Sequence, residues 1–230
     1  LGVLWSIIRP LMTIFVFTII FGRLAKLPSD GVPYLLLVSA GMIPWQFFAN
    51  SFTEASNSLI ANATMLSKVY FPRIIIPVSS VVVSFIDLLI SFAIMIGIYI
   101  WYQFVPDWHL IFLPLFILQA IFVSMGLGFL VSALNVRYRD FRYIVPFIVQ
   151  FGLYISPVGF KTSVVTGDLK YLYALNPMVG VIDGFRWSLL GGNFSLDKST
   201  FAISLIMSVI IFIIGFNYFR KVERNFADII

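Results

Sequence analysis

Six stretches of this sequence, at about 3–22, 34–53, 74–101, 110–134, 143–160 and 199–219, approach the roughly 20 mostly apolar residues that a helix needs to cross about 30 Å of hydrocarbon. Within a bilayer core every backbone N–H and C=O must be satisfied inside its own segment, so runs of this length are helices. Composition points the same way. Of the 230 residues 60% are hydrophobic and 11% charged, against about 45–50% and about 25% in an ordinary soluble domain. A soluble fold of this size could not cover so much apolar surface. The expected fold is an all-α membrane protein, a single domain over 1–230 with six transmembrane helices. The chain opens at Leu1 inside an apolar run, so a cytoplasmic N-terminal segment is expected to precede it.

Residues 177–190 (PMVGVIDGFRWSLL) test that count. Asn176 and Pro177 form a helix start and Gly191-Gly192 a stop. At 1.5 Å per residue the helix is about 21 Å long, too short to span. It carries Asp183 and Arg186, three apart on one face. A seventh crossing would separate the basic tail Arg220, Lys221 and Arg224 from Arg137, Arg139 and Arg142. The segment therefore reads as a short re-entrant or interfacial helix. With six spans, one side receives Lys68, Arg73 and those six basic residues, and the positive-inside rule makes it cytoplasmic, with both termini. Arg23 and Lys26 in a short outer loop weaken the bias without reversing it.

Chemistry has few residues to work with. There is no cysteine and one histidine, His109, next to Asp107 and Trp108 in an outer loop. No metal site and no catalytic residue are expected. No G-x-x-x-x-G-K-[ST] loop is present, so ATP-driven work needs a partner that binds ATP and Mg. Asp87 alone lies deep within a span, where Ser84 or Ser91 are its expected hydrogen-bond partners. Ser124, Gly128 and Ser132, with Gly126 between them, form a small-residue stripe suited to close helix packing. Arg9 in the first span suits an interfacial anchor or an anionic headgroup contact.

Three segments carry a resemblance: NATMLSKVYFPRIIIPVSSV at 62–81, NVRYRDFRYIVPFIVQFGLYISPVGF at 135–160 and YALNPMVGVIDGFRWSLLG at 173–191. With LGVLWSIIRPLMTIFVFTIIFG at 1–22, they occur in the order found in ABC-2 type permeases of polysaccharide exporters. This family includes the Wzm O-antigen permeases and the teichoic-acid and capsule permeases, and the chain resembles it over most of its length. The family's amphipathic N-terminal helix is not in this sequence. The resemblance implies a homodimer worked by two copies of a Wzt-like ATPase subunit in the bacterial inner membrane. The cargo it implies is a lipid-linked polysaccharide; membrane lipids are further partners, and nucleic acid is not one.

A separate ATPase must push on a short, stiff element that ends directly in a span. Residues 54–71 suit a cytoplasmic coupling helix, with Glu54, Asn57, Asn62, Lys68 and Tyr70 as polar contacts and Leu59, Ile60, Met65 and Leu66 as an apolar face. Phe71 adjoins Pro72, which closes the segment, and Arg73 leads into the third span. Arg137, Arg139 and Arg142 suit either a topology signal that also binds anionic lipid or a lipid-pyrophosphate contact, with Arg9 as a further candidate. The family places its first and fifth spans at the pathway. Trp5, Met12, Phe15 and Ile19 are then pathway candidates on the first, and Phe147, Gln150, Phe151, Tyr154 and Val158 on the fifth. Aromatic walls suit the C–H faces of sugars. The helix at 177–190 becomes an outer gate, with Asn176, Pro177, Asp183, Arg186 and Trp187 at stake.

The reading is the membrane subunit of an ATP-driven exporter of lipid-linked polysaccharide, with O-antigen first and teichoic acid or capsule as alternatives. A drug or lipid ABC-2 exporter is a more distant alternative. A membrane enzyme acting on lipid-linked sugars would need clustered acids, and only scattered Asp107, Asp168 and Asp183 are found.

Overall fold

The structure is a computed structural model. It describes residues 2–24, 31–66, 68, 71–138, 140–191 and 194–223, with side chains for all of these except 2–6 and 9. Among the described residues every regular element is helical. Helix α1 (Gly2–Phe17) carries Pro10 and continues as a π-helical stretch, Thr18–Leu24. Next come α2 (Tyr34–Ala61), the single turn α3 (Ala63–Leu66) and α4 (Ile75–Tyr102). A 3-10 turn at Trp108–Phe112 leads into α5 (Leu113–Arg137), followed by α6 (Phe141–Ile155). Helices α7 (Leu169–Tyr173), α8 (Pro177–Leu190) and α9 (Lys198–Glu223) complete the order.

The boundaries follow local chemistry. Helix α4 stops where Gln103 turns left-handed at φ 52° and its N–H returns to the carbonyls of Tyr99 and Ile100. Helix α6 stops at Ile155 because Ser156 precedes Pro157 and takes an extended backbone, φ −84° and ψ 152°. In α8, Asn176 accepts the Met178 N–H, Pro177 fills the first turn and Gly191 closes the end at φ 66°.

Four segments are long and apolar enough to cross a membrane: Tyr34–Ala61, Ile75–Tyr102, Trp108–Arg137 and Lys198–Glu223. The first and fifth expected spans fall in shorter apolar helices, Pro10–Leu24 and Phe141–Ile155. At 15 residues, α6 is about 22 Å long, because Pro157 ends it five residues short of the expected limit. Residues 156–160 are therefore not helical, and Val158 leaves the stripe that Phe147, Phe151 and Tyr154 form.

Helix α2 is the axis of the bundle, mostly buried between Leu36 and Leu59, and α1, α4, α5, α6 and α8 all pack on it. Helix α9 lies along α5. At their crossing a Cβ on Gly215 would stand 1.9 Å from the Gly126 carbonyl oxygen, and one on Gly126 would meet the Phe212 backbone at 2.7 Å. Gly128 faces Ala55 of α2 in the same way. Lipid is as apolar as leucine, so close backbone approach through small residues supplies packing that burial alone would not. The stripe expected from Ser124 to Ser132 does this work through its glycines.

The bundle has two unlike ends. At the basic end, Leu59, Ile76, Phe129, Ala133 and Phe219 form a small core beneath Arg73, Arg137, Arg220 and Lys221. At the aromatic end, Trp187 of α8 packs on His109, Phe112 and Phe116, and Tyr99 donates to the Leu189 carbonyl at 2.8 Å.

Candidate functional site

The coupling segment begins inside a helix. Residues 54–61 are the last two turns of α2, and only α3 stands apart from it. Residues 54–61 are helical but not a separate coupling helix, because α2 runs on through polar residues whose side chains satisfy local backbone. Asn57 donates to the Thr53 carbonyl at 2.9 Å and Asn62 to the Ser58 carbonyl at 2.8 Å. The expected apolar face is split: Leu59 and Leu66 belong to the basic-end core, whereas Ile60 and Met65 are exposed. Lys68 is exposed, and Tyr70 lies outside the described residues. Phe71 packs on the basic-end core. Arg73 is tied to the end of α9, its N–H donating to Glu223 Oε1 at 3.0 Å and its guanidinium to the Glu223 carbonyl at 2.8 Å.

Glu54 faces a polar groove between α2 and α4, of about 420 Å³, walled by Asn50, Ser79, Ser80, Ser84 and Asp87. Asn50 donates to Asp87 Oδ2 at 3.3 Å. The serines expected to hold the Asp87 side chain serve backbone instead, Ser84 donating to the Ser80 carbonyl and Ser91 to that of Asp87. A helix serine four residues on reaches its own backbone more easily than a neighbour's carboxylate.

The pathway candidates form exposed stripes on two helices, α1 and α6, that pack on α2. On α6, Phe147, Phe151 and Tyr154 are half or more exposed, Gln150 is exposed beside them, and the rings of Phe147 and Phe151 lie 4.1 Å apart. On α1, Met12 and Phe15 are more than half exposed and Ile19 is half-buried in the π-helical stretch. The Trp5 and Arg9 side chains lie outside the described set, as does Arg139. Arg137 and Arg142 are exposed at the basic end, each over the tyrosine that follows it, at 5.3 and 4.8 Å.

Helix α8 is where sequence and structure agree most closely, at 177–190, but it is interior rather than peripheral. It is wedged among α2, α5 and α9, with Val181, Ile182 and Phe185 sealed. Arg186 is 2% exposed, and its guanidinium donates to the carbonyls of Phe160 at 2.7 Å, Val158 at 2.8 Å and Leu37 at 3.4 Å. The Val158 and Phe160 carbonyls are available because Pro157 breaks α6, and the Leu37 carbonyl, inside α2, is within reach because Gly41 has no Cβ to crowd the guanidinium. Asp183 accepts from Thr162 at 2.7 Å. Asn176 caps α8 and also donates to Ser156 Oγ at 2.9 Å. Tyr34 donates to the Gly159 carbonyl. The segment 156–160 at the end of α6 is thus buckled to α8 and α2 by side chains from three places.

Several of these partners escaped the sequence reading. Tyr34, Ser156 and Thr162 gave no signal, since each acts on a residue remote in sequence. The stripe Thr200, Ser204 and Ser208 on α9 was readable at four-residue spacing. Ser204 donates to the Ala174 carbonyl and accepts from the Gly180 N–H, and Ser208 accepts from Gln119.

Beside Asp183 and Arg186 of α8 lies a polar cavity of about 280 Å³ among α8, the 161–170 connection and the start of α9. Lys170 and Asp197 pair across it at 3.2 Å.

Comparison with known proteins bears on the whole of this arrangement. A family model described as ABC-2 type transporter matches residues 1–190. The chain is similar to two O-antigen export system permease proteins RfbA of Klebsiella pneumoniae. They are 26% and 27% identical over its full length, which covers 88% and 87% of those proteins. A protein of the same name from Myxococcus xanthus is 24% identical over 99% of the chain and 87% of its own length. The inner membrane transport permease YadH of Escherichia coli strain K12 is 21% identical over 94% of the chain and 88% of that protein. A multi-helix membrane chain with no ATP-binding loop of its own, matched over 190 of its residues by one family model, belongs to the ABC-2 type transporter family.

Proposed function

We propose that this chain is the membrane subunit of an ATP-driven exporter that moves lipid-linked polysaccharide, of the O-antigen kind, across the bacterial inner membrane. The observation that carries the reading is its likeness over essentially the whole chain to three permeases named for O-antigen export. It works as a homodimer with two ATPase subunits, which bind ATP and Mg, and does no bond chemistry itself. The six-span topology, with α1 and α6 as the shorter spans, puts the basic end and both termini in the cytoplasm, as the positive-inside rule asks.

The geometry supports a division of labour. Exposed Met12, Phe15, Phe147, Phe151 and Tyr154 lie on two helices that pack on α2 and offer a sugar chain apolar walls once a second copy closes the opening. Phe71 and Arg73, packed at the basic end, take the push of the ATPase into α4 and α9. Moving a gate from 1:99 to 99:1 needs about 5.5 kcal/mol of bias, which a helix end clasped to its neighbour transmits better than a free loop. At the other end α8 is the gate, moved through the buckle on 156–160.

The test is reconstitution in liposomes with lipid-linked polysaccharide. Export is expected only when the chain, the ATPase and ATP are all present. ATP-dependent movement of polymer by this chain alone, or no movement of polymer by the complete complex, would overturn the reading.

A further inference from the structure

The polar cavity beside α8 shares Arg186 with the buckle, but its other described walls take no part in the buckle or in the coupling end. Its lining carries three basic side chains, Lys161, Lys170 and Arg186, against two carboxylates, Asp183 and Asp197, and most of them are already engaged. Lys170 pairs with Asp197 at 3.2 Å, and the Arg186 guanidinium is spent on backbone carbonyls. Asp183 accepts from Thr162 while its second oxygen remains an acceptor. Exposed Ser163 and Ser195 add hydroxyls that donate or accept. Phe194 contributes an aromatic ring, with the Lys161 ammonium 4.2 Å from its centroid.

An anion would meet two carboxylates here, and a cation three basic side chains. A ligand with many hydroxyls and no net charge meets neither penalty, because carboxylates accept from hydroxyls, ammonium groups donate to them and a ring covers C–H faces. A volume of about 280 Å³ is at the small end of ligand sites, which confines the occupant to a single ring.

We propose that this cavity is a saccharide-binding site that takes one neutral pyranose unit, and that it engages the polymer as it emerges at the aromatic end. The second half of that statement rests on the reading of the chain as a polysaccharide permease; the first does not.

The experiment uses the purified full chain in nanodiscs, without ATPase or polymer, and saturation-transfer NMR with glucose, galactose, mannose and N-acetylglucosamine as probes. Glucuronate and inorganic phosphate are run alongside. At least one neutral sugar is expected to bind with a dissociation constant on the order of millimolar. S163W and S195W, which fill the exposed rim, should each weaken it about tenfold or more. Circular dichroism and the elution volume of both variants should match the parent protein.

Absence of binding by every neutral sugar would overturn the proposal. So would binding that survives both fillings in folded protein, or binding of glucuronate or phosphate alone, which would mark an anion site. A complex that exports polymer while its cavity binds no sugar sinks this proposal only. A chain that binds sugar but moves no polymer sinks the export reading instead.

Discussion

The guanidinium of Arg186, in the middle of the buried helix α8, donates to the backbone carbonyl of Val158 at 2.8 Å, one residue past the proline that ends α6. This contact fastens the end of a helix with an exposed aromatic stripe to a helix with no exposed face. Neither can move far without the other unless the bond breaks. The same side chain also holds Phe160 and Leu37, so a single residue joins three parts of the chain.

Removing that side chain should therefore cost about as much as a core truncation, roughly 2–5 kcal/mol. In R186M the carbonyls of Val158 and Phe160 lose their donor where water cannot easily replace it, and a loss of about 3 kcal/mol is expected. R186K keeps the charge but lacks the planar fork, so it should recover less than half of the loss. Thermal unfolding in detergent, followed by tryptophan fluorescence, measures both. Equal midpoints for R186M and the parent protein would remove the buckle from the account.

The α5–α9 crossing offers a test with an internal control. G215A puts a methyl group 1.9 Å from the Gly126 carbonyl oxygen, so the helices must separate, and a loss of about 1–3 kcal/mol is expected. Gly97 on α4 has nothing within 4 Å of its Cβ position. There G97A should be neutral or stabilise by up to about 1 kcal/mol, the helix propensity difference. The pair separates packing at a crossing from propensity in a helix. Comparable midpoints for the two variants would mean the crossing is looser than described.

How much of this was legible in the sequence depends on the range of the interaction. Helix α8 was readable to the residue, because Asn176, Pro177 and Gly191 are local signals and its length alone excludes a span. The end of α6 was misplaced by five residues because apolar content outvoted Pro157. The second span runs eight residues past its expected limit at 53 because Glu54, Asn57 and Ser58 read as polar cytoplasmic residues, whereas a helix whose polar side chains bond back to its own turns tolerates them. The stripes on α1 and α6 were readable as periodicity. The family resemblance, not the periodicity, singled them out among the many apolar faces. The Arg186 partners were illegible in principle: they are carbonyls, which every residue has, and only the fold selects Leu37, Val158 and Phe160.

The Lys170–Asp197 pair sets a pH dependence of defined sign. The Ser199 hydroxyl, with the Ser199 amide and Lys170, holds the Asp197 carboxyl down to about 2 from an ordinary 3.8. Asp197 in turn raises Lys170 above its usual 10.5. A depressed acid contributes stability that is complete above 3.8 and is lost as pH falls towards 2; a raised base contributes below 10.5 and fades above it. The start of α9 should therefore be pH-insensitive between those limits and loosen in acid below them and in alkali above them. Hydrogen exchange at the Ser199 amide measures this. In D197N protection should be lower throughout the neutral range, and a midpoint near neutrality in the parent protein would contradict the assignment.

At the basic end the clasp between Arg73 and Glu223 makes a sharper prediction about work. The Arg73 amide and guanidinium hold the last turn of α9 while Phe71 fills the core beneath it, so a displacement of 71–73 moves α4 and α9 together. R73A leaves the amide bond to Glu223 in place but removes the guanidinium arm, which contributes about 1.5–3 kcal/mol as a charged hydrogen bond. In the complex with its ATPase, R73A and F71A should keep most of the ATP hydrolysis and lose most of the polymer export. A Y70A variant, altered at the neighbouring residue, is expected to behave the same way. E223Q keeps the carbonyl that the guanidinium uses and weakens only the bond to the amide, so it should export better than R73A. Hydrolysis and export measured on the same liposomes give the ratio directly. A fall of both in parallel would signify loss of docking or folding, and unchanged export in all three substitutions at 70, 71 and 73 would place the mechanical contact elsewhere on the chain.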